Sequence, residues 1–261
     1  MHIQQLYLYP IKSTQAYQVS QAMVQLQGLN FDREFMLTEP DGTFITARKD
    51  PALFAFSTFP LSMGIAVHHQ DGSTLHIYYP DFLQQHSCEV WGNHFPSWVA
   101  KPEINQWFSE KIGRPVQLRW LGQQSARHIK NHLNNPVSFA DGYPILLTTH
   151  ASLNALQQHC EQPINMKQFR PNIVLDGDVP FIEQQWQKIQ IGEVVFVHSR
   201  PCERCVLTTR HPDNAQMDPK MEPFRTLKKI NTNDQGKPLF GINLIPQNTG
   251  IIRVNDPVIL C

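Results

Sequence analysis

The sequence predicts a β-dominated, mixed α/β fold, and three observations carry that expectation. Short runs of alternating or continuous apolar residues recur through the first ~90 positions. Turn signals such as Pro40-Asp41-Gly42 and Asp71-Gly72 separate them. Helical spacing is confined to a few short stretches in the remainder.

In order, Ile3, Leu6 and Leu8 mark a first strand over 3–9, broken by Pro10-Ile11-Lys12-Ser13. A second strand reads from Gln18 to Leu26, and Gly28-Leu29 turns it into Asn30 to Leu37. Ile65-Ala66-Val67 and Leu75-His76-Ile77 form a hairpin around Asp71-Gly72. Ile104, Trp107, Phe108 and Ile112 predict a helix over 102–112, which Gly113 and Pro115 end. A strand follows at Val116–Leu121, then a polar stretch, 122–138, that reads as a long surface loop. Asp141-Gly142-Tyr143-Pro144 turns into the strand Ile145-Leu146-Leu147, and a helix covers about 150–160. Arg170 and Asn172 stand at the entrance of a strand ending near Leu175. Hairpin-like strands around Ile191-Gly192 lead through Val194 to Val197 into Arg200-Pro201-Cys202-Glu203-Arg204-Cys205, and Val206 to Thr209 also reads as strand. Beyond it, the charged stretch to Lys220 is loop, Glu222–Lys229 forms one or two helical turns, and Leu239-Phe240-Gly241-Ile242-Asn243 opens the last sheet region. The chain contains no internal repeat, heptad or low-complexity tract.

Composition narrows the function. The 261 residues are 41% hydrophobic, enough for one large domain or two small ones. Lys and Arg total 22, as do Asp and Glu, so no net field draws the chain to nucleic acid or an anionic membrane, and no basic-aromatic motif suggests nucleic acid. Five irregularly spaced cysteines argue for a reducing compartment rather than a disulfide framework. The start lacks a basic region followed by an apolar core, and no apolar run approaches the ~18 residues of a membrane span. A cytoplasmic protein that does not engage membranes is expected.

The chemistry concentrates at Cys202-x-x-Cys205, which has Arg204 inside the pair and Arg200 just before it. Thiolate sulfur binds metals and attacks electrophiles, and adjacent positive charge favours the thiolate. The blander reading is a small buried hydrophobe. A structural zinc site is disfavoured because Cys88, Cys160 and Cys261 are isolated and no second ligand pair stands nearby. Lys12-Ser13, Arg33, Arg48, Gly142-Tyr143, Arg170 with Asn172, and Arg204 each put a cation or hydrogen-bonding group beside an apolar run. Singly, each charge reads as a solvated surface group. If they converge, they make a basic pocket suited to an anionic cofactor carrying a soft metal.

Seven blocks in order carry a resemblance: Tyr9-Pro10-Ile11-Lys12-Ser13, Asp32-Arg33, Thr46-Ala47-Arg48, Asp141-Gly142-Tyr143-Pro144, Phe169-Arg170-Pro171-Asn172-Ile173-Val174, Cys202-x-Arg204-Cys205-x-Leu207-Thr208-Thr209, and Leu239-Phe240-Gly241. Across nearly its whole length the chain resembles the MOSC family, in particular its branch of amidoxime-reducing and bacterial N-hydroxylated-compound reductases. The resemblance implies an N-terminal β-rich domain over 1–95 and a MOSC β-barrel with peripheral helices over 96–261. A pocket built from motifs of both halves goes with it. It implies a molybdenum cofactor (molybdenum held by molybdopterin), with Cys205 as the protein ligand to the metal. Lys12, Ser13, Arg33, Gly142, Tyr143, Arg170, Asn172, Arg204 and Asn243 are implied to surround the pterin and its phosphate.

The implied activity is reduction of small N-hydroxylated compounds: amidoximes, hydroxylamines and N-hydroxylated bases. Some relatives append a cysteine-rich iron–sulfur domain; this sequence shows no such stretch, which implies a separate donor of flavin, iron–sulfur or cytochrome type. The alternatives are a molybdenum-cofactor carrier and a sulfur carrier without turnover, although nothing here resembles the pyridoxal-phosphate domain a sulfurase needs. Two departures stand out. Arg210-His211 occupies the place of the family's Val-Asp, and Asn243 stands where the mitochondrial branch carries tyrosine. His211, six residues past Cys205, is the candidate proton donor.

Overall fold

The computed structural model describes residues 1–130 and 132–261. It is β-dominated, and among the described residues three α-helices occur, Pro102–Ile112, His150–Gln157 and Phe224–Ile230. None is long and apolar enough to cross a membrane. The chain divides into two compact units. One comprises Met1–Tyr7, Gln18–Asn30 and Tyr143–Cys261; the other comprises Leu8–Tyr17 and Phe31–Gly142.

The first unit is built on an eight-stranded sheet. Its strands, in spatial order, are Tyr17–Val19, Ile3–Leu8, Ile173–Leu175, Ile145–Thr149, Leu239–Pro246, Val194–Glu203, Lys188–Ile191 and Val258–Leu260. Its inner strands are continuous apolar runs, such as Ile145-Leu146-Leu147 and Ile173-Val174-Leu175, and they are buried along their length. Ile3 pairs with Leu175, and Leu147 lies between Ile173 on one side and Ile242 on the other. A three-stranded sheet, Gly250–Arg253, Gln21–Gln25 and Gly28–Leu29, belongs to the same unit.

The second unit holds a four-stranded sheet ordered Phe35–Thr38, Gln117–Trp120, Asn93–Ala100, Phe82–Val90. It also holds a three-stranded meander, Phe56–Leu61, Gly64–His69 and Thr74–Tyr78. Met36, Cys88, Val90, Phe95, Leu121 and Phe139 form one buried cluster on the four-stranded sheet. The helix Pro102–Ile112 buries Ile104 and Phe108, and Gly113 closes it at φ 82°, a conformation that costs a residue without Cβ little.

The expected hairpin at Asp71-Gly72 and the helix at 102–112 are both present. Three local expectations need correction. The run 18–26 is two strands, broken at Ser20, that join different sheets. The stretch 122–138 is not simply a surface loop: His128–Ile129 pairs with His132–Pro136, and Arg127 is buried. Val206–Thr209 is a 3-10 turn rather than a strand, because Thr208 and Arg210 donate their N–H groups to Cys205 and Leu207 carbonyls.

Candidate functional site

In the first unit the strand Val194–Glu203 ends on the cysteine pair. Cys205 is half-buried and opens the turn Val206–Thr209, its carbonyl accepting from Thr208 N at 3.1 Å and Thr208 Oγ1 at 3.0 Å. Arg204 anchors this corner. Its backbone N donates to Pro238 O at 2.8 Å, Nη1 to Cys202 Sγ at 3.0 Å and Nη2 to Phe169 O at 2.6 Å. Cys202 is therefore engaged by the same guanidinium that precedes Cys205. Gln168 Nε2 donates to Thr208 O at 2.8 Å, tying the turn Met166–Phe169 to the cysteine turn. Below lies a stacked pair, Phe169 on Phe240, with centroids 3.9 Å apart and planes at 22°.

The stack accounts for the Leu239-Phe240-Gly241 block. Gly241 adopts φ +75°, and a Cβ there would lie 2.5 Å from Leu147 O, so only glycine lets this strand run so close to its neighbour. Arg170 caps the turn Met166–Phe169 in the left-handed region, at φ 54°. Asn172 is buried and holds strand register: Oδ1 accepts from Leu146 N at 3.1 Å and Nδ2 donates to Tyr7 O at 3.2 Å. Tyr143 is half-buried at the entrance to the strand Ile145–Thr149. Asn243, also half-buried, lies in the sheet between Leu146 and Arg200 and donates to Arg200 O at 3.4 Å.

The second unit contains its own basic cluster. Asp32 is fully buried; it accepts from Tyr9 N at 2.9 Å and from Arg33 Nη1 at 2.5 Å, while the Arg33 guanidinium lies 4.2 Å from the Tyr9 ring centroid. Lys12 is buried, donating to Phe139 O at 2.7 Å and pairing with Asp141 at 2.5 Å. Burial pushes the Lys12 ammonium down to about 8; Asp141 works against that shift, and Arg127 and Arg33 reinforce it. Desolvation opposes ionisation of Asp141, but Lys12, Trp91 and Arg33 outweigh it and hold the carboxyl well below its usual range. Arg127 clamps the turn below, donating to Ser138 O at 2.7 Å, Asp141 O at 3.0 Å and Ala140 O. Trp91, 47% exposed, donates to Asp141 at 3.1 Å and carries the Arg48 guanidinium 4.9 Å from its ring centroid. Gly142 has open space where a Cβ would stand, so no contact among the described residues requires a glycine there.

Ser13, Arg33 and Arg170, three of the expected site residues, are non-glycine residues at positive φ: 74°, 50° and 54°. Such conformations cost about 1–3 kcal/mol each and persist where the surroundings impose them, often at functional positions. The sequence reading missed Arg127, Trp91 and the supporting roles of Phe169 and Phe240. Arg127 was hidden by its polar, broken neighbourhood; Phe169 and Phe240 stood inside named blocks but looked like ordinary core. His211 is exposed and lines a cavity of about 560 Å³ with Thr209, Gln168 and Glu222; Cys205 does not line it.

Among the described residues no group of three or more His, Cys, Asp or Glu side chains is arranged to hold a metal ion. A metal at Cys205 would therefore take most of its ligands from a cofactor, and thiolate sulfur suits a soft metal. Arg204 adds a second observation that fits an anionic group. Its Nε–H is buried and has no acceptor among the described residues, and a buried charged donor left unmet is costly.

This β-dominated architecture with a cation-held cysteine corner belongs to a known class. Residues 1–115 match the MOSC N-terminal beta barrel domain and residues 134–259 match the MOSC domain. The chain belongs to the MOSC family. It is 32% identical to the mitochondrial amidoxime reducing component 2 of Macaca fascicularis, over 98% of this chain and 82% of that protein. Against the mitochondrial amidoxime-reducing component 1 of Homo sapiens it is 30% identical, over 99% of this chain and 82% of that protein. The molybdenum cofactor sulfurase of Oryza sativa subsp. japonica is 29% identical over 94% of this chain, which covers 32% of that larger protein.

Proposed function

We propose that this protein is a molybdenum-cofactor oxidoreductase that reduces small N-hydroxylated compounds with electrons from a separate donor protein. The observation that carries the reading is the Cys205 corner: a half-buried cysteine next to Arg204, whose guanidinium is held on Cys202 and Phe169 and whose buried Nε–H lacks an acceptor among the described residues. Similarity to amidoxime-reducing components over nearly the full chain supports the substrate class. When bound, the molybdenum cofactor supplies two-electron chemistry at the substrate N–OH, which takes two electrons and two protons and leaves N–H and water.

The residues of this chain do the holding. Cys205 would ligate the metal. Arg204 would offer its free Nε–H to an anionic group of the cofactor while its Nη atoms keep Cys202 and Phe169 in place. Arg170, Tyr143 and Asn243 would contribute further cofactor contacts, with Asn172 holding the strands that carry them. By resemblance the assignment extends to Lys12, Ser13, Arg33 and Gly142, which belong to a cluster of their own in the second unit. There Lys12 is charged at neutral pH, and Arg127 holds the turn that carries Asp141.

The test is molybdenum content of wild type and Cys205→Ala, each purified from a host that makes the cofactor, followed by an N-hydroxypurine or amidoxime assay with an artificial electron donor. Near-stoichiometric metal in wild type, its loss in the variant and turnover in wild type alone are expected. Bound metal without turnover would move the reading to a cofactor carrier. Absence of metal from wild type would overturn it.

A further inference from the structure

The second unit holds a different cavity, of about 550 Å³, on the four-stranded sheet. Gln117 and Arg119 project from one face of their strand. The register places Met36 and Val99 beside Arg119, and Gln84 beside Val99. This face is therefore core at one end, around Met36, Cys88 and Phe95, and cavity at the other.

Arg119 stands at the join. It is 1% exposed, yet it forms no ion pair among the described residues. Nε donates to Thr38 Oγ1 at 3.1 Å, while Nη1 is buried with no acceptor among the described residues. Burying a cation is costly, and a carboxylate partner or a full set of acceptors normally offsets the cost. Among the described residues no carboxylate stands within ion-pair distance of it, and Asp41 acts on it only from farther off. Cys88 interacts with it electrostatically, but burial pushes that thiol up, so it stays neutral. Lys101, on the same wall, is already paired with Asp81 at 2.9 Å. The rest of the wall mixes apolar side chains, Leu83, Val99 and Pro102, with amides and Asp41.

We propose that this cavity binds the carboxylate of a small, partly apolar organic acid, seated on the Arg119 guanidinium. One unpaired cation matches one negative charge. A phosphate dianion would carry a second charge toward Asp41, whose carboxylate lines the same cavity. A planar carboxylate matches the guanidinium fork, and Leu83, Val99 and Pro102 accept the apolar body.

The test is a 19F NMR titration of the full chain with 4-fluorobenzoate, its neutral isostere 4-fluorobenzamide, and fluoroacetate. Saturable binding of at least one carboxylate is expected, with the benzoate at least tenfold tighter than the benzamide. Arg119→Met should lower carboxylate affinity tenfold or more while the chain still folds, because the substitution also removes an uncompensated buried charge. Should that variant not fold, Asp41→Asn at the rim reads the same site, and tighter carboxylate binding is expected there. Equal binding of benzoate and benzamide, no saturable carboxylate, displacement by inorganic phosphate at equal concentration, or affinity unchanged in both variants would each overturn the proposal.

Discussion

Gly241 offers a perturbation whose size follows from the geometry. Alanine there must hold φ +75°, which costs an L-residue about 1–2 kcal/mol. Its Cβ would also stand 2.5 Å from Leu147 O and 2.7 Å from Thr148 Cγ2. The carbonyl cannot easily yield, because Leu147 is paired on both sides, with Ile173 and with Ile242. Overpacking of this kind costs roughly 1–3 kcal/mol, so the total is about 2–5 kcal/mol. Gly236, in the same unit, is the control: φ is +70° but nothing lies within 4 Å of its Cβ position, so Gly236→Ala incurs the backbone cost alone. At about 2–4 °C per kcal/mol for chains of this size, Gly241→Ala should melt roughly 2–12 °C below Gly236→Ala. Thermal unfolding of both variants, followed by circular dichroism, is the assay. Indistinguishable melting temperatures would refute the claim that this glycine is kept for close approach. Because Phe240 precedes Gly241 and stacks on Phe169, Gly241→Ala should also lose molybdenum when prepared beside wild type.

Four other outcomes are expected. The Lys12 ammonium titrates near 8, below its ordinary 10.5, so its charged form opposes folding below pH 8, and that cost fades as pH rises towards 10.5. The cofactor contact proposed for Lys12 runs the other way: cofactor loss on incubation should accelerate as pH passes 8 in wild type and stay flat in Lys12→Arg, measured as molybdenum released. Arg127→Met removes the clamp on Ser138, Ala140 and Asp141 carbonyls and should lower stability by about 2–3 kcal/mol, with hydrogen-exchange protection lost first around 138–142. Arg204→Lys cannot reach Cys202 and Phe169 together with a fork, so bound molybdenum should fall severalfold without unfolding. His211→Ala should leave the pH–rate profile unchanged, since His211 lines a cavity that Cys205 does not.

The parts of this fold legible in the sequence are those set by local chemistry. Asp71-Gly72 dictates its hairpin, and Ile104, Phe108 and Gly113 dictate a helix and its end. Pairings between distant segments were not legible. Nothing near Ile3 indicates that its partner is Leu175, because an apolar strand accepts many neighbours. At the candidate site the charged and sulfur-bearing residues could be named from their motifs, but the groups that hold them could not. Arg127 sits in a polar stretch indistinguishable from loop until its three carbonyl partners are seen. Phe169 and Phe240 read as core, and their service to Arg204 depends on a stack between residues far apart in the chain. Arg119 lies inside the expected strand Val116–Leu121 with nothing in the sequence to single it out; only its burial beside a cavity sets it apart.

The left-handed backbone at Arg33 and Arg170 bears on how this protein could be engineered. At φ 50° and 54° glycine is the residue the main chain itself would choose. A campaign that selected only for heat resistance would drift towards Arg170→Gly, easing the backbone by roughly 1–2 kcal/mol. It would discard a guanidinium in the process. Directed evolution of this scaffold as the proposed molybdenum enzyme therefore needs a readout of metal loading at every round, because melting temperature by itself rewards erasing the proposed site.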